Sequence, residues 1–335
     1  MQSSHSIWRF YRNCLLIALP LLLLFLFYVV EDPFMVIRHY NDYDQSRVMQ
    51  NEGAVGWEKY KMYRKRCHYD SFLLGTSCTK AFSCREWNRY IHAHPFRFFS
   101  NAEGLGECYM KLQALHNVPG QRIRHLFIVT EPSFFEKTHP RQSLMHIMPP
   151  DVSGESWAHY QTVFFQGFLS PKFLMPYMRY LVTGKPDTSG RDVIHSFVPT
   201  RDRYTNDALL PQDAAMAKEG ESYWKNLSWC RKIAKTRVHE GKQVIGEEQV
   251  RVLLEIRRIC DLHHTDVHWV VGPSFHLERF NRHDLKVLQQ LFGKHAVHDE
   301  SVNPRFHDYH DFYDPSHYRR RVGDAILKDI YQPPV

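Results

Sequence analysis

Three side chains, one early and two late in the chain, have the residue types and the order that nucleophilic catalysis needs. Ser77 follows the apolar run 72–74 and a Gly-Thr turn. Asp314 and His317 are three residues apart near the C-terminus. A serine hydroxyl becomes a nucleophile when an imidazole takes its proton and a carboxylate orients that imidazole. The sequence therefore predicts a Ser-His-Asp centre that joins the two ends of a folded domain.

Short apolar runs alternate with amphipathic segments along the chain, and this alternation predicts an α/β sheet with parallel strands and right-handed crossovers. The clearest strand is the apolar, β-branched run at 124–130. The predicted strands are 70–74, 97–100, 124–130, 267–272 and the edge segment 296–299, and the predicted helices are 84–92, 107–115, 247–263, 284–292 and 318–330.

The pattern loosens between 132 and 246, where prolines and aromatic residues are frequent. We interpret this stretch as a helical insertion with helices near 158–168 and 172–182, placed over the C-terminal edge of the sheet, where ligand crevices form. Residues 32–65 are polar and rich in aromatic side chains, and we interpret them as a connector. The α/β domain is then predicted over 66–331.

The N-terminal region predicts a membrane anchor. Cys14–Val30 is a run of 17 apolar residues with one internal proline, and we assign a transmembrane signal anchor to 13–31. Arg9 and Arg12 precede the run and two acidic residues follow it, so the positive-inside rule places residues 1–12 in the cytoplasm. A cleavable signal peptide is the alternative, but no small-x-small cleavage site follows the run. The expected location is a cell membrane, single-pass, with the C-terminal domain extracytoplasmic, which is periplasmic in a Gram-negative cell.

Composition narrows the class of partners. The 335 residues are 43% hydrophobic and 24% charged, as in globular proteins, and the net charge of +7 is spread along the chain. No dense basic block with interleaved aromatic residues is present, so nucleic-acid binding is not predicted. Six of the seven cysteines follow the anchor, and both disulfide pairing and free thiols stay open. No paired CxxC motif indicates structural zinc, and no cofactor is predicted.

Three motifs in this order resemble those of the SGNH, or GDSL-like, hydrolase superfamily, and in particular its membrane-anchored extracytoplasmic branch. They are a strand ending Gly-x-Ser at Ser77, an Asn-x-x-x-x-Gly segment from Asn101 to Gly106, and an Asp-x-x-His motif at 314–317 before a final helix. The resemblance covers about 66–331. It implies a flavodoxin-like three-layer parallel sheet.

The resemblance also implies residue roles. Ser77 would be the nucleophile, His317 its general base, and Asp314 the group that orients the base. The backbone N–H groups of Ser77 and Gly106 would hold the oxyanion, with Asn101 at the turn that positions Gly106. The implied activity is hydrolysis or transfer of an O-acyl ester, and the implied substrate is an acetylated envelope or exported polysaccharide.

One departure from the family pattern supports a different function. Glu131 follows the 124–130 strand at the point where the family's Gly-x-Asn-Asp block supplies an asparagine to the oxyanion hole. An ionised carboxylate donates no hydrogen bond. The alternative is therefore a non-catalytic SGNH-like component that serves in binding or assembly within an envelope polysaccharide system, with envelope-assembly proteins as its partners.

Two further alternatives concern the chemistry itself. Cys78 follows Ser77 directly and could act as a thiol nucleophile, although no base is placed for it. The stretch 307–317 is rich in residues that can bind zinc or a harder cation. The Gly-Thr-Ser turn at 75–77 and the Asp-x-x-His motif at 314–317 also have a purely structural interpretation. Gly-Thr-Ser is a common turn, and an Asp or Ser before a helix is a common N-cap.

Overall fold

The computed structural model of the chain describes residues 2–187, 193–196, 201–225, 227–230 and 236–332. These residues form two compact units. The first consists of Met1–Gln50 with Ser156–Val198, and the second of Asn51–Glu155 with Pro199–Val335.

A five-stranded sheet lies at the centre of the second unit, and every pairing in it is parallel. Along the sheet the strands follow the order β2-β1-β3-β4-β5. The prediction of a mixed α/β fold with a parallel sheet is confirmed. The strands are β1 Ser71–Gly75, β2 Pro95–Arg97, β3 His125–Thr130, β4 Asp266–Val271 and β5 Val297–Asp299.

Helices connect these strands, and several begin or end within two residues of the predicted bounds. In chain order they are α1 Gln2–Glu31, α2 Glu52–Cys67, α3 Cys84–Ile91, α4 Leu105–Asn117, α5 Trp157–Leu169, α6 Pro171–Thr183, α7 Pro211–Glu219, α8 Glu247–His263, α9 Arg282–Phe292 and α10 Arg320–Tyr331. Shorter helical segments are Pro132–Phe135, Pro150–Ser153, Glu221–Lys225, Ser77–Ala81, Lys294–Ala296, Pro304–Phe306 and Tyr309–Asp311, and two-stranded pairs join His239–Glu240 to Glu278–Arg279 and Phe312–Asp314 to His317–Tyr318.

Both faces of the sheet are buried beneath helices, because successive side chains of a strand point to opposite faces. On β1, Phe72 and Leu74 pack into a cluster with α2, α4, α8 and α9, whereas Leu73 packs into a second cluster with α3 and α10. The central strands are therefore apolar over most of their length, as in parallel sheets covered on both sides.

The predicted connector over 32–65 contains a helix, α2, over much of its second half. Asn51 caps this helix by accepting a hydrogen bond from the Ala54 N–H at 3.1 Å. Trp57 and Tyr60, three residues apart, are fully buried in the larger cluster. The aromatic residues of α2 thus belong to the core of the second unit.

The first unit contains the predicted anchor. Residues Ile7–Glu31 of α1 are long and apolar enough to cross a membrane. The two helices predicted within the insertion at 132–246 are present as α5 and α6, and they belong to this first unit. The described residues 184–187 and 193–196 also belong to the first unit, whereas 132–155 and the described residues between 201 and 246 belong to the second.

All seven cysteines lie among the described residues, and none of them forms a disulfide there. Five are buried in the structure. Of the two alternatives that the sequence left open, the structure has free thiols.

Candidate functional site

Ser77 lies at the carboxyl end of the central strand β1, at a turn that requires glycine. Gly75 has a φ of 127°, and a Cβ at this position would lie 2.0 Å from the Val129 carbonyl oxygen. Glycine therefore lets β1 run against β3 to its end. The chain then turns at Thr76, whose hydroxyl accepts the Cys78 N–H at 3.3 Å and caps the 3-10 segment that Ser77 begins.

Asp314 and His317 come from a tight antiparallel pair near the other end of the chain. They are paired residues of the two short strands, and the Ser316 N–H donates to Asp314 Oδ1 at 2.8 Å across the turn. Phe312 and Tyr318, which flank the pair, are 1% and 2% exposed. The pair is therefore anchored in the core by its flanking aromatic side chains.

The packing of α10 against the Ser77 segment brings the two ends of the chain together. A Cβ at Gly323 of α10 would lie 2.0 Å from the Ala81 carbonyl oxygen, so the two backbones are in close contact. Glycine permits this approach, whereas a larger residue would push the helix away. Because α10 follows the Asp314–His317 pair directly, this contact places the imidazole beside Ser77.

The three predicted catalytic side chains form one hydrogen-bonded series. Ser77 Oγ lies 2.8 Å from His317 Nε2. His317 Nδ1 lies 2.8 Å from Asp314 Oδ2 and 3.0 Å from Oδ1. A carboxylate that accepts the Nδ1–H leaves Nε2 as the acceptor for the serine proton. The order nucleophile, base and orienting carboxylate is the order that serine hydrolysis requires.

The charge state of Asp314 fits an orienting role. Burial raises the pKa of this carboxyl, but the hydrogen bond and charge of His317 outweigh burial and lower the pKa overall. Lys80 adds a positive charge that lowers it further. Asp314 is therefore ionised at neutral pH, and a carboxylate in this position would stabilise an imidazolium at His317.

The predicted oxyanion donors are placed differently from one another. The Ser77 N–H has no acceptor among the described residues, so it is free to meet an oxyanion. The Gly106 N–H donates to the Lys137 carbonyl at 2.9 Å, and a Cβ on Gly106 would lie 2.2 Å from the Thr138 carbonyl. The expectation that Gly106 offers a free N–H is thus corrected. The 137–139 segment packs on the first turn of α4, and the Lys137 carbonyl accepts the hydrogen bond from this N–H.

Asn101 lies in an exposed turn that leads into α4. The turn is held by Arg141, which donates to the neighbouring Ala102 carbonyl at 2.7 Å. Asn101 therefore precedes Gly106 in the connection after β2, as predicted. Since the Gly106 N–H is already bonded, this turn does not supply an oxyanion donor in the arrangement seen here.

A cleft of about 240 Å³ opens at the carboxyl ends of β3 and β4, beside the residues next to Ser77 and His317. Glu131 is on its wall and accepts a hydrogen bond from the Ser133 hydroxyl at 3.0 Å. The carboxylate that directly follows β3 in the sequence therefore also lines the cleft in the structure. The lining residues are Cys78, Thr130, Glu131, Pro132, Ser133, Gly272, Pro273, Ser274, Phe275, His276, Glu278, Ser301, Pro315, Ser316 and Tyr318.

Tyr318 contributes an unused hydrogen-bond donor to this cleft. Its side chain is buried, and its hydroxyl has no hydrogen-bond partner within the described part of the chain. The hydroxyl lies 2.6 Å from where a Cβ on Gly272 would be, so glycine makes room for it. A buried donor without a partner is costly in a folded protein and is often explained by an absent ligand or water. Sequence reasoning missed this residue, although it directly follows His317.

Cys78 is in an environment that suppresses its reactivity. Burial and the nearby Glu131 carboxylate both raise the pKa of its thiol, so the thiolate is not formed at neutral pH. The thiol donates to the Ser316 carbonyl at 3.3 Å. The structure therefore favours Ser77 over Cys78 as the nucleophile.

Among the described residues, no group of three or more His, Cys, Asp or Glu side chains is arranged to hold a metal ion. The carboxylates of the 307–317 stretch have other partners: Asp311 pairs with Arg321 at 2.7 Å, and His310 bonds to both Asp308 and Glu221. These contacts give Asp308, His310 and Asp311 a structural role.

Lys80 is a second residue that sequence reasoning missed. It lies three residues after Ser77 in the same 3-10 segment, where side chains at i and i+3 eclipse one another. Burial lowers the pKa of its ammonium group, and the charge of Arg97 lowers it further. The Ser-x-x-Lys spacing, which also occurs in serine acyl-transfer enzymes, could have drawn attention to it.

Comparison of the chain with family models, with curated proteins and with solved structures found no match. Its function is therefore inferred from the residues and distances described above.

Proposed function

We propose that this protein is a membrane-anchored O-acyl ester hydrolase or acyltransferase of the SGNH type that acts through Ser77. The observation that carries the proposal is the 2.8 Å contact between Ser77 Oγ and His317 Nε2, backed by Asp314 on the opposite ring nitrogen. A hydroxyl, an imidazole and a carboxylate in this order are the elements of acyl transfer to serine.

The reaction divides into two steps. Ser77 Oγ attacks the ester carbonyl while His317 Nε2 takes its proton, and the tetrahedral intermediate collapses as the imidazolium protonates the leaving alcohol. The acyl group is then on Ser77. Water or a sugar hydroxyl, deprotonated by the same nitrogen, attacks this acyl-enzyme. The bond to Ser77 Oγ then breaks as the imidazolium returns the proton to that oxygen, and the acid or the new ester is released. Asp314 stabilises the imidazolium in both steps.

The sheet supports an SGNH-like, flavodoxin-like assignment. Its order of β2-β1-β3-β4-β5 is the order of flavodoxin-like doubly wound sheets. In such sheets, ligands bind outside the carboxyl ends of the strands, near the point where the strand order reverses. Ser77 follows β1, the strand beside that point, and the cleft lies at the ends of the next two strands.

Stabilisation of the oxyanion is assigned to two groups. The Ser77 N–H is free, and the buried Tyr318 hydroxyl in the cleft is an unpaired donor. Removing one donor from an oxyanion hole costs about 3 kcal/mol in known serine enzymes. Tyr318 would thus take the place of the asparagine that Glu131 replaces.

An acetylated polysaccharide of the cell envelope, or one exported through it, is the proposed substrate. The α1 anchor would hold the second unit at the membrane, and the basic residues before the anchor favour an extracytoplasmic domain. In a Gram-negative cell this compartment is the periplasm, and envelope-assembly proteins would be the partners.

The test uses the full chain in mild detergent and p-nitrophenyl acetate. We expect acetate release that is lost in Ser77→Ala and retained in Ser222→Ala, an exposed serine outside the site. A fluorophosphonate probe, followed by peptide mass spectrometry, should label Ser77 alone. Equal background rates in all three proteins, with no labelling of Ser77, would contradict the proposed chemistry.

A second function, a non-catalytic binding component, is favoured by two observations. The Gly106 N–H is already bonded to Lys137, and Glu131 presents a carboxylate to the cleft. Such a protein would bind acetylated polysaccharide equally well with or without the Ser77 hydroxyl. Equal binding by the parent and Ser77→Ala, together with no turnover, would support this function over catalysis.

A further inference from the structure

The first unit contains a helical hairpin, α5 and α6, that packs on the C-terminal part of α1. Phe25 and Phe165 meet edge to face with ring centroids 5.2 Å apart, and Phe27 lies 6.1 Å from Phe168. The Tyr28 hydroxyl donates to the Gln161 side chain at 3.3 Å. The rest of α1 is almost entirely exposed in the described structure.

These contacts set the depth of the hairpin relative to the apolar span. Phe25 is six residues before Glu31, the last residue of α1, which corresponds to about 9 Å along a helix that rises about 1.5 Å per residue. The hydrocarbon core of a bilayer is about 30 Å thick. If α1 crosses a membrane with Glu31 at the edge of the hydrocarbon, Phe165 of α5 packs about 9 Å inside that edge. The Tyr177 hydroxyl of α6 donates to the Glu31 carboxylate at 3.2 Å, which places α6 at the level where the hydrocarbon meets the head groups.

The outward surface of α6 has the character of a helix at that level. Met175, Met178, Leu181 and Val182 are 68%, 42%, 43% and 83% exposed. At 100° per residue they occupy one arc of the helix, whereas Phe173 and Tyr177 on the opposite side are buried. An exposed apolar stripe on a soluble surface is unusual and marks an interaction site.

The charges of α6 also fit a membrane surface. The helix has no acidic residue, and its two basic residues, Lys172 and Arg179, are exposed beside the apolar arc. Helices that lie in the plane of a membrane combine an apolar face with basic residues at its edge. Trp157, at the start of α5, is 59% exposed, and tryptophan is enriched at membrane interfaces.

We propose that α6 lies in the interface of the lipid leaflet that surrounds the C-terminal end of α1, with Met175, Met178 and Val182 inserted among the acyl chains. The protein then contacts the bilayer through a spanning helix and an in-plane helix. One contact through the bilayer and one along its surface hold the first unit in one orientation, which a single span does not. This inference does not depend on the proposed esterase activity.

The test measures the depth of nitroxide labels on the full chain reconstituted into phosphatidylcholine and phosphatidylglycerol vesicles. Labels are attached to Met178→Cys, Val182→Cys and, as the matched control on the same helix, Arg179→Cys. The parent carries Cys14→Ala and Cys67→Ala, since the other cysteines are buried. A label at Leu22→Cys marks the centre of the 13–31 anchor predicted from the sequence. Collision rates with oxygen, which enters lipid, and with a water-soluble nickel chelate report the depth of each label.

We expect the oxygen-to-nickel ratio to be at least threefold higher at 178 and 182 than at 179, and highest at 22. Nickel access at 178 and 182 equal to that at 179 would overturn the proposal. Protection of 178 and 182 from both reagents would overturn it as well, because it would show a protein, such as a second copy of the chain, on this face. Nickel access at 22 would show that α1 does not span the bilayer, and it would overturn the proposal too.

Discussion

Replacing Asp314 with asparagine should lower the proposed esterase activity more than its small change in size suggests. Asp314 Oδ1 accepts the Ser316 N–H at 2.8 Å, and Oδ2 lies 2.8 Å from His317 Nδ1. An asparagine would keep its carbonyl oxygen on the Ser316 N–H, so its NH₂ group would replace Oδ2, which is the nearer of the two oxygens to Nδ1 at 2.8 Å against 3.0 Å. A donor in that place forces the proton onto Nε2, and this tautomer cannot take the proton of Ser77.

The size of the effect follows from the exposure of the carboxylate. In a buried triad the same substitution lowers the turnover number by about 10⁴. The Asp314 side chain is 46% exposed, so water competes for Nδ1 and weakens the constraint on the tautomer. We therefore expect a loss of about 10² to 10³ in kcat/KM, which is about 2.7 to 4 kcal/mol in transition-state stabilisation.

The assay is acetate release from p-nitrophenyl acetate by the full chain at pH 7.5. Asp314→Ala should lose no more activity than Asp314→Asn, because water can accept the Nδ1–H when the side chain is absent. Asp329→Asn, which removes a surface carboxylate paired with Arg305, is the matched control and should stay within twofold of the parent. Parent-level activity in Asp314→Asn, combined with loss in Ser77→Ala, would refute the assigned role of Asp314.

Three further outcomes are expected from the structure. Gly106→Ala should lower the melting temperature by several degrees, because its Cβ would meet the Thr138 carbonyl at 2.2 Å and overpacking costs about 1–3 kcal/mol. Gly246→Ala, whose Cβ would lie 3.5 Å from the Gln249 side chain, should change the melting temperature little. Equal melting temperatures in the two variants would contradict the close packing at Gly106. Cys78→Ala should retain activity within a fewfold, and iodoacetamide at pH 8 should not inactivate the parent, because the buried thiol stays protonated. Complete loss of activity in the variant, or in the parent after iodoacetamide, would indicate a reactive thiol. Burial and two neighbouring histidines lower the pKa of His298 to about 4 in the folded protein, below its unfolded value of about 6.5, so its contribution to the free energy of unfolding is present above pH 6.5 and is lost as the pH falls to 4. His298→Asn should therefore flatten the decline in melting temperature between pH 7 and 4.5 by an amount that corresponds to about 1–2 kcal/mol. An unchanged decline would count against this role of His298.

Much of the sheet and its helices follows from local patterns. The apolar run at 124–130 is β3 with one residue fewer, and the amphipathic segment 247–263 has the bounds of α8. The second strand was predicted at 97–100 but lies at Pro95–Arg97, since the chain leaves the sheet after Arg97. Strand type is local information, whereas the end of a strand depends on what packs beside it.

The helix α2 shows why a local pattern can mislead. Its sequence mixes aromatic, basic and small residues, and its apolar moment is weak. Trp57 and Tyr60 nevertheless occupy the core, since small residues on the same face, Gly53 and Gly56, let the helix approach its neighbours. Tertiary packing thus decided the role of a stretch whose composition is that of a connector.

The sequence by itself determined the types and order of the candidate catalytic residues, the parallel α/β pattern and the apolar span, because each depends on residues within a few positions of one another. Only the tertiary structure decided that Ser77 meets a histidine 240 residues away, that Lys137 occupies the Gly106 N–H, and that α5 and α6 pack on α1. Contacts between distant segments depend on how helices and strands fill space together, and hydrogen bonds to backbone groups go to whichever segment packs closest.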